Sequence, residues 1–238
     1  LIADRDEEIN AFVPEEYWSL DAVFQVKGEK KPLMAKFYGT DKEKIEIHSK
    51  EEMEKILEAV KDASFVVSEV KHGERSKKAP LPFTTSTLQQ EASKVLNFST
   101  TKTMRLAQQL YEGVDIEGQG TIGLITYLRT DSTRISEEAQ QMAAAFIKES
   151  YKDTYLHQGK AKKESDKKIQ DAHEAIRPTD IKRLPAMIKD SLSRDQFRLY
   201  QLIWKRFTAS CMADAKYHTT SVKIDGGGYR FRVSASSV

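Results

Sequence analysis

Apolar and polar residues change rhythm several times along the chain, and each rhythm predicts an element. After Pro14, residues 17–27 and 33–38 alternate β-branched and aromatic positions, which predicts two strands of a small sheet. Ser49 followed three positions later by Glu52 has the form of a capping box, and Met53, Ile56, Leu57 and Val60 then recur at helical spacing. A short helix packing on that sheet is expected. Strand character returns over 64–71 with Phe65, Val66, Val67 and Val70, until SKKAPLP and its two prolines break it. A domain boundary is placed near Pro80.

From Ser86 the rhythm becomes helical. Leu88, Ala92, Val95 and Leu96 share a face, with Ser86 or Thr87 as cap and an end near Asn97. The tight connection Asn97, Phe98 and Ser99 leads to a second helix with Met104, Ala107, Leu110 and Tyr111 at helical spacing and Gly113 as its stop, together a helix-turn-helix pattern. A glycine-rich turn over 118–123 precedes LITYLRT, whose alternation predicts a strand forming the wing of a winged helix. Ser136 is read as the cap of another helix, with Glu137 and Glu138 in its first turn and a stripe of Ala139, Met142, Ala143, Phe146 and Ile147. Residues 158–170 offer no buriable stripe and read as a solvated loop. From Ser193, Phe197, Tyr200, Leu202, Ile203 and Phe207 predict a long helix, and residues 216–233 predict a hairpin around Gly226 to Gly228 that rejoins the first sheet. The fold class is thus α+β: a β-rich segment over 1–80, a mainly helical, winged-helix-like domain over 81–192, and a return helix and hairpin over 193–238.

Charge narrows the picture only a little. Lys and Arg number 38 against 36 Asp and Glu, so the net charge of +2 announces no polyanion partner, and any basic surface has to be local. The one cysteine, Cys211, excludes an internal disulfide and a cysteine-based zinc site and is expected in the core. No apolar run reaches the roughly 18 residues of a membrane span, and no signal-peptide pattern opens the chain. A cytoplasmic, monomeric protein is expected. The opening LIADRDEEINAF lacks Met and already reads as helix, and the last residues follow a strand, so the chain reads as cut from a longer one.

Two clusters carry chemistry. In an extended LITYLRT, Tyr127 and Arg129 share a face, which places a phenol beside a guanidinium: a nucleophile beside a planar fork able to hold a phosphodiester oxygen. Thr130, Asp131 and Ser132 follow at once and supply hydroxyl and carboxylate groups at a turn into a helix. The second cluster, DAHEAIRPTD, brings His173, Glu174, Arg177 and Asp180 around a turn that Pro178 stiffens. A zinc HExxH motif is excluded because position 177 is Arg, and His173 and Arg177 are read as hydrogen-bond donors to an anion.

Taken together, ITYLRTDST followed about forty residues later by AHEAIRPTD resembles the type IA DNA topoisomerases, bacterial topoisomerase I in particular. PFTTSTLQQEASKVLNFSTTKTMRLAQQLYEG, the GQGTIGLITYLRT lead-in and the opening DRDEEINAFVPEEYW resemble that family in the same order. The resemblance implies that the β-rich ends form an arch supporting the tyrosine-bearing domain. It makes Tyr127 the nucleophile that takes the 5′ phosphate of cleaved single-stranded DNA and Arg129 the group that stabilises that phosphate. His173, Arg177, Thr130, Asp131 and Ser132 become DNA contacts. Magnesium would be bound by an N-terminal Toprim domain outside this chain, so no metal ligand is expected here, and the chain alone is expected to cleave poorly. ATP has no role.

The rival reading is a non-enzymatic winged-helix DNA-binding protein, for which the helix-turn-helix pattern over 86–111 speaks and which would tolerate Tyr127→Phe. A tyrosine recombinase is disfavoured, because its tyrosine follows its arginines and histidine, whereas Tyr127 precedes them.

Overall fold

The computed structural model describes residues 2–156 and 173–238, so the expected loop over 158–170 lies outside the described residues. In chain order the elements are α1 (Ile2–Asn10), β1 (Asp21–Phe24), β2 (Leu33–Gly39), α2 (Lys50–Lys61), β3 (Val66–Lys77), α3 (Thr85–Glu91) running into a π-helical turn (Ala92–Leu96), α4 (Thr100–Glu112), β4 (Val114–Ile116), β5 (Gly120–Ile122), α5 (Glu137–Ser150), α6 (Arg194–Ser210), β6 (Ala215–Gly226) and β7 (Tyr229–Ser237). The fold is α+β. The chain divides into two compact units, Leu1–Ser76 with Lys216–Val238, and Lys77–Ala215.

The first unit is built on a five-stranded sheet in the order β1-β2-β7-β6-β3, which the returning hairpin completes as expected. Gly226 pairs with Tyr229 across a two-residue turn, and Gly227 and Gly228 both have positive φ (61° and 80°), the backbone that a tight hairpin matching strand twist requires. One sheet face carries Ala35, Ile224 and Phe231, and Phe24, Phe37 and Phe65 set their rings edge-on against Phe231 with centroids 5.7–5.9 Å apart. Helix α2 covers Ile47 with Met53 and Ile56, while Leu57, expected in that stripe, faces solvent. Ser49 caps α2 by accepting from Glu52 N, but the Glu52 carboxylate reaches back to His48 N at 2.8 Å instead of Ser49 N, so the capping box is shifted by one residue. Strand β3 lies at the sheet edge and is exposed throughout, Val66, Val67 and Val70 included.

The second unit has a larger core in which Phe83, Leu88, Leu106, Leu110, Leu124, Ile125, Leu128, Ile176, Leu199, Tyr200, Ile203 and Phe207 are almost wholly buried. The cap of α3 is Thr84, not Ser86 or Thr87. The Thr84 hydroxyl accepts from Thr87 N and the Thr87 hydroxyl accepts from Thr84 N at 2.9 Å, a reciprocal box that starts the helix earlier than the pattern indicated. Asn97 ends the π-helical turn in the left-handed conformation, Ser99 caps α4, Ser136 caps α5, and Ser193 with Gln196 forms a capping box for α6. Met142 is exposed, so the stripe of α5 is narrower than expected. LITYLRT does not form a strand. The two-stranded hairpin of this unit, β4 with β5, comes before it, and the segment that follows bends at Thr126, Leu128 and Arg129 and makes a lone bridge from Ile125 to Pro178.

Candidate active site

The Tyr127 segment is held from both sides by hydroxyl groups instead of a ladder. On one side, Thr85 at the start of α3 donates through its hydroxyl to Leu128 O at 2.7 Å, accepts from Thr130 N at 2.9 Å, and gives its own N–H to Thr130 O at 2.9 Å. On the other, the Thr126 hydroxyl donates to Ala175 O at 2.7 Å and accepts from Arg177 N at 3.0 Å, while Thr126 N donates to Arg177 O at 2.9 Å. Thr179 N to Leu124 O (3.0 Å) and Ile176 N to Phe83 O (2.8 Å) complete the weave. The two sequence motifs are therefore neighbours through their main chains.

Apolar burial fixes which side chains point outward. Leu124, Ile125 and Leu128 are at most 1% exposed, each stabilising the segment by about 1.5–3 kcal/mol. Tyr127 and Arg129, on either side of Leu128, are both exposed, Tyr127 to 38%. Ile125, expected on the same face as these two, is in the core. Among the described residues the Arg129 guanidinium has no hydrogen-bonded or ion-paired partner. Gly123 lets the end of α4 come this close: a Cβ there would lie 2.8 Å from Tyr111 O, and the neighbouring Leu124 N donates to Leu110 O at 2.7 Å.

The Tyr127 ring stands between two others. His173 lies with its ring centroid 5.3 Å away, tilted by 36°, and Tyr111 presents an edge at 5.5 Å and 68°. Sequence reasoning placed Tyr111 only in the stripe of α4. Its spacing carried no signal of the site, because the contact depends on Gly123 bringing two distant segments together.

The other site residues fall into two groups. Asp131 is exposed beside Arg129, whereas Thr130 and Ser132 are buried (8% and 7%) and turn the chain: the Thr130 hydroxyl accepts from Ser132 N at 3.0 Å and the Ser132 hydroxyl from Arg134 N at 3.2 Å. Arg177 is engaged inside the protein. Its guanidinium donates to Glu174 Oε2 from Nε (2.8 Å) and Nη2 (2.6 Å), and to Pro178 O from Nη1 at 3.0 Å. Partial burial works to raise the Glu174 carboxyl, but hydrogen bonds from Ser136 and Arg177 overcome it and hold the group below the usual glutamate range. Tyr200, by contrast with Tyr127, is wholly buried and donates to Arg183 O at 2.8 Å, and burial pushes its phenol far up, so it is a packing residue.

A family model described as DNA topoisomerase matches residues 1–238, the whole chain. The chain belongs to the DNA topoisomerase family. Among solved structures, this topoisomerase chain is similar to full-length topoisomerase I from Thermotoga maritima, with 38% identity and a TM-score of 0.73 over 98% of its residues. It covers 36% of that protein's chain, about a third of its length. The resemblance to the type IA enzymes thereby stands on the fold as well as on the motifs. Among the described residues of this topoisomerase chain, no helix is long and apolar enough to cross a membrane.

Proposed function

We propose that this chain is the nucleophile-bearing part of a type IA DNA topoisomerase, which relaxes negatively supercoiled DNA by cutting one strand, passing the other and resealing. The observation that carries the reading is the exposure of Tyr127 and Arg129 together, on a segment whose intervening Leu128 is buried, with His173 stacked beside the phenol.

In this reading Tyr127 Oη attacks a phosphorus of single-stranded DNA and gives up its proton. The bond from phosphorus to the 3′ oxygen breaks, the 3′ oxygen takes up a proton, and the 5′ phosphate becomes an ester of Tyr127. One phosphodiester replaces another, so the reverse attack by the 3′ hydroxyl reseals the strand without ATP. Arg129 holds the non-bridging phosphate oxygens through its fork, and His173 helps to hold the strand. Thr130, Ser132 and Arg177 serve by fixing the loops that present these groups. Among the described residues no three or more His, Cys, Asp or Glu stand together to hold a metal ion. The magnesium that the family implies would be held by the Toprim domain, and no step of this chain's chemistry is routed through it.

The test combines the chain with a separately produced Toprim domain, magnesium and a single-stranded oligonucleotide, then denatures the mixture and looks for a covalent protein-DNA adduct. An adduct that needs both pieces and is lost in Tyr127→Phe is expected. Its absence, with reassembly and DNA binding confirmed, would favour a non-enzymatic DNA-binding protein.

A further inference from the structure

We propose that the sheet of the first unit carries a contact surface for single-stranded nucleic acid: a row of cations across three strands beside an exposed aromatic cleft. The inference rests on membership of a DNA-processing family and not on the role of Tyr127.

The register places Lys36 of β2 opposite Arg232 of β7, and Arg232 opposite Lys223 of β6. Residues directly opposite share a face, and this face is the one away from Phe231 and Ile224, since side chains alternate along each strand. Like charges directly opposite destabilise a sheet, so three cations abreast are a cost that folding alone does not explain. Among the described residues the anions on this face are Asp21 opposite Lys36 and Glu69 paired with Lys223 at the ends of the row, and Asp225 two residues along β6 from Lys223.

Arg232, in the middle, is thus flanked by cations. Its neighbour along β7 but one, Arg230, is taken up by a two-pronged pair with Asp225 at 2.7 and 2.8 Å. Arg232 has no such partner among the described residues, and its Nε is buried with no hydrogen bond. Instead its guanidinium carbon lies 3.2 Å from the centre of the Tyr38 ring. The pairing of β2 with β7 slips between Phe37 and Gly39, so Tyr38 is the extra residue of a bulge, a device that re-aims a side chain, here against Arg232. The stack leaves the guanidinium in place while leaving its charge unmatched.

Lys36 also lines a cleft of about 390 Å³ together with Tyr17, Trp18, Leu20 and Phe37, whose other charged walls are Asp21 and a Lys44–Glu46 ion pair. Tyr17 is 82% exposed, and Trp18, though more than half buried, keeps 38% of its surface open. Cations that follow a phosphate backbone, next to aromatic rings on which bases stack, are how single strands are held without sequence preference. An acidic peptide would use the cations but not the rings, which is why the row and cleft together favour nucleic acid.

The test measures binding of a fluorescent oligo-dT to the 238-residue chain as salt is varied between about 50 and 200 mM. Lys36→Gln/Arg232→Gln is expected to shrink the slope of log K against log salt by about 1.4, at about 0.7 per phosphate contact, which is about 25-fold weaker binding near 0.1 M salt. Lys36→Gln alone changes only an exposed side chain, so it keeps the test independent of any folding defect, and half that change in slope is expected. Oligo-dT is also expected to quench Trp18 fluorescence, with buried Trp204 as the unaffected reference, and Trp18→Phe to abolish the quench. Unchanged slopes in both variants overturn the proposal, and so does equal binding and quenching by poly-glutamate, which would assign the face to an acidic peptide. Adduct formation at Tyr127 is read separately, so failure of this proposal is distinguishable from failure of the cleavage reading.

Discussion

Replacing Thr85 with valine removes a hydroxyl and preserves shape, which makes it a clean probe of how the tyrosine segment is held. The Thr85 hydroxyl is the donor to Leu128 O at 2.7 Å and the acceptor for Thr130 N at 2.9 Å, on either side of Arg129. Leu128 is 1% exposed and Thr130 8%, so water cannot easily replace the lost partner. A buried polar group left unpaired costs about 1–3 kcal/mol, and valine strands two, the Leu128 carbonyl and the Thr130 N–H. The main-chain bond from Thr85 N to Thr130 O at 2.9 Å survives and limits the damage, so a loss of about 2–4 kcal/mol from the stability of the second unit is expected. Urea unfolding followed by the fluorescence of Trp204, in a Trp18→Phe background so that only the second unit reports, measures it. Thr85→Ser keeps both bonds and should lose less than half as much. Under single-turnover conditions with the Toprim part present, Thr85→Val should also form the Tyr127 adduct more slowly than Thr85→Ser. A loss below about 0.5 kcal/mol for Thr85→Val would refute the view that these bonds, and not the buried leucines, set the segment's position.

Three further outcomes follow from the same geometry. Glu174 is held below the usual glutamate range in the folded chain, so its contribution is present above the unfolded value and is lost as pH falls through the folded one: wild-type stability to urea should drop on acidification through and below the ordinary carboxylate range, and Glu174→Gln should flatten that drop, a steepened drop counting against it. Tyr111→Ala removes an edge-on ring contact worth about 0.5–1.5 kcal/mol and should slow adduct formation about 2- to 10-fold at saturating DNA, while Tyr111→Phe keeps the ring and should behave as wild type; equal loss in both would mean that the hydroxyl, not the ring, matters. Burial pushes the Cys211 thiol up, so it should react with a thiol-specific disulfide reagent at pH 8 only in urea, and prompt reaction in the native chain would contradict its placement.

How much of this the sequence shows depends on whether a feature is fixed by neighbours in the chain or by contacts across it. The helices beginning after Ser49, Ser99, Ser136 and Ser193 are local: a capping hydroxyl and an apolar stripe sit within one or two turns of each other, and all four are found where the pattern put them. The closing hairpin is local too, because paired glycines specify its turn. The run TTST offers several caps within one turn, and the choice of Thr84 comes with the engagement of the next residue, Thr85, by Leu128 and Thr130. No window of a dozen residues contains that contact.

LITYLRT shows where pattern reading divides. Tyr127 and Arg129 are outward and Leu128 inward, but the bends at Thr126, Leu128 and Arg129 break strict alternation and Ile125, expected with the outward pair, joins the core. A strand needs in addition a partner offering a ladder, and here the partners are two threonine hydroxyls and the turn at 175–178, which satisfy the main chain without continuing it. Arg177 makes the complementary point. Its chemistry invites an anion, and the anion it has is Glu174, three residues before it and visible in the motif all along. Glu174 makes Arg177 a clip that sets the loop, whereas the Arg129 guanidinium has no hydrogen-bonded or ion-paired partner among the described residues, although Asp131 lies two residues on. The pairing formed in the fold, not cationic character or the nearness of a carboxylate in the sequence, separates the two arginines.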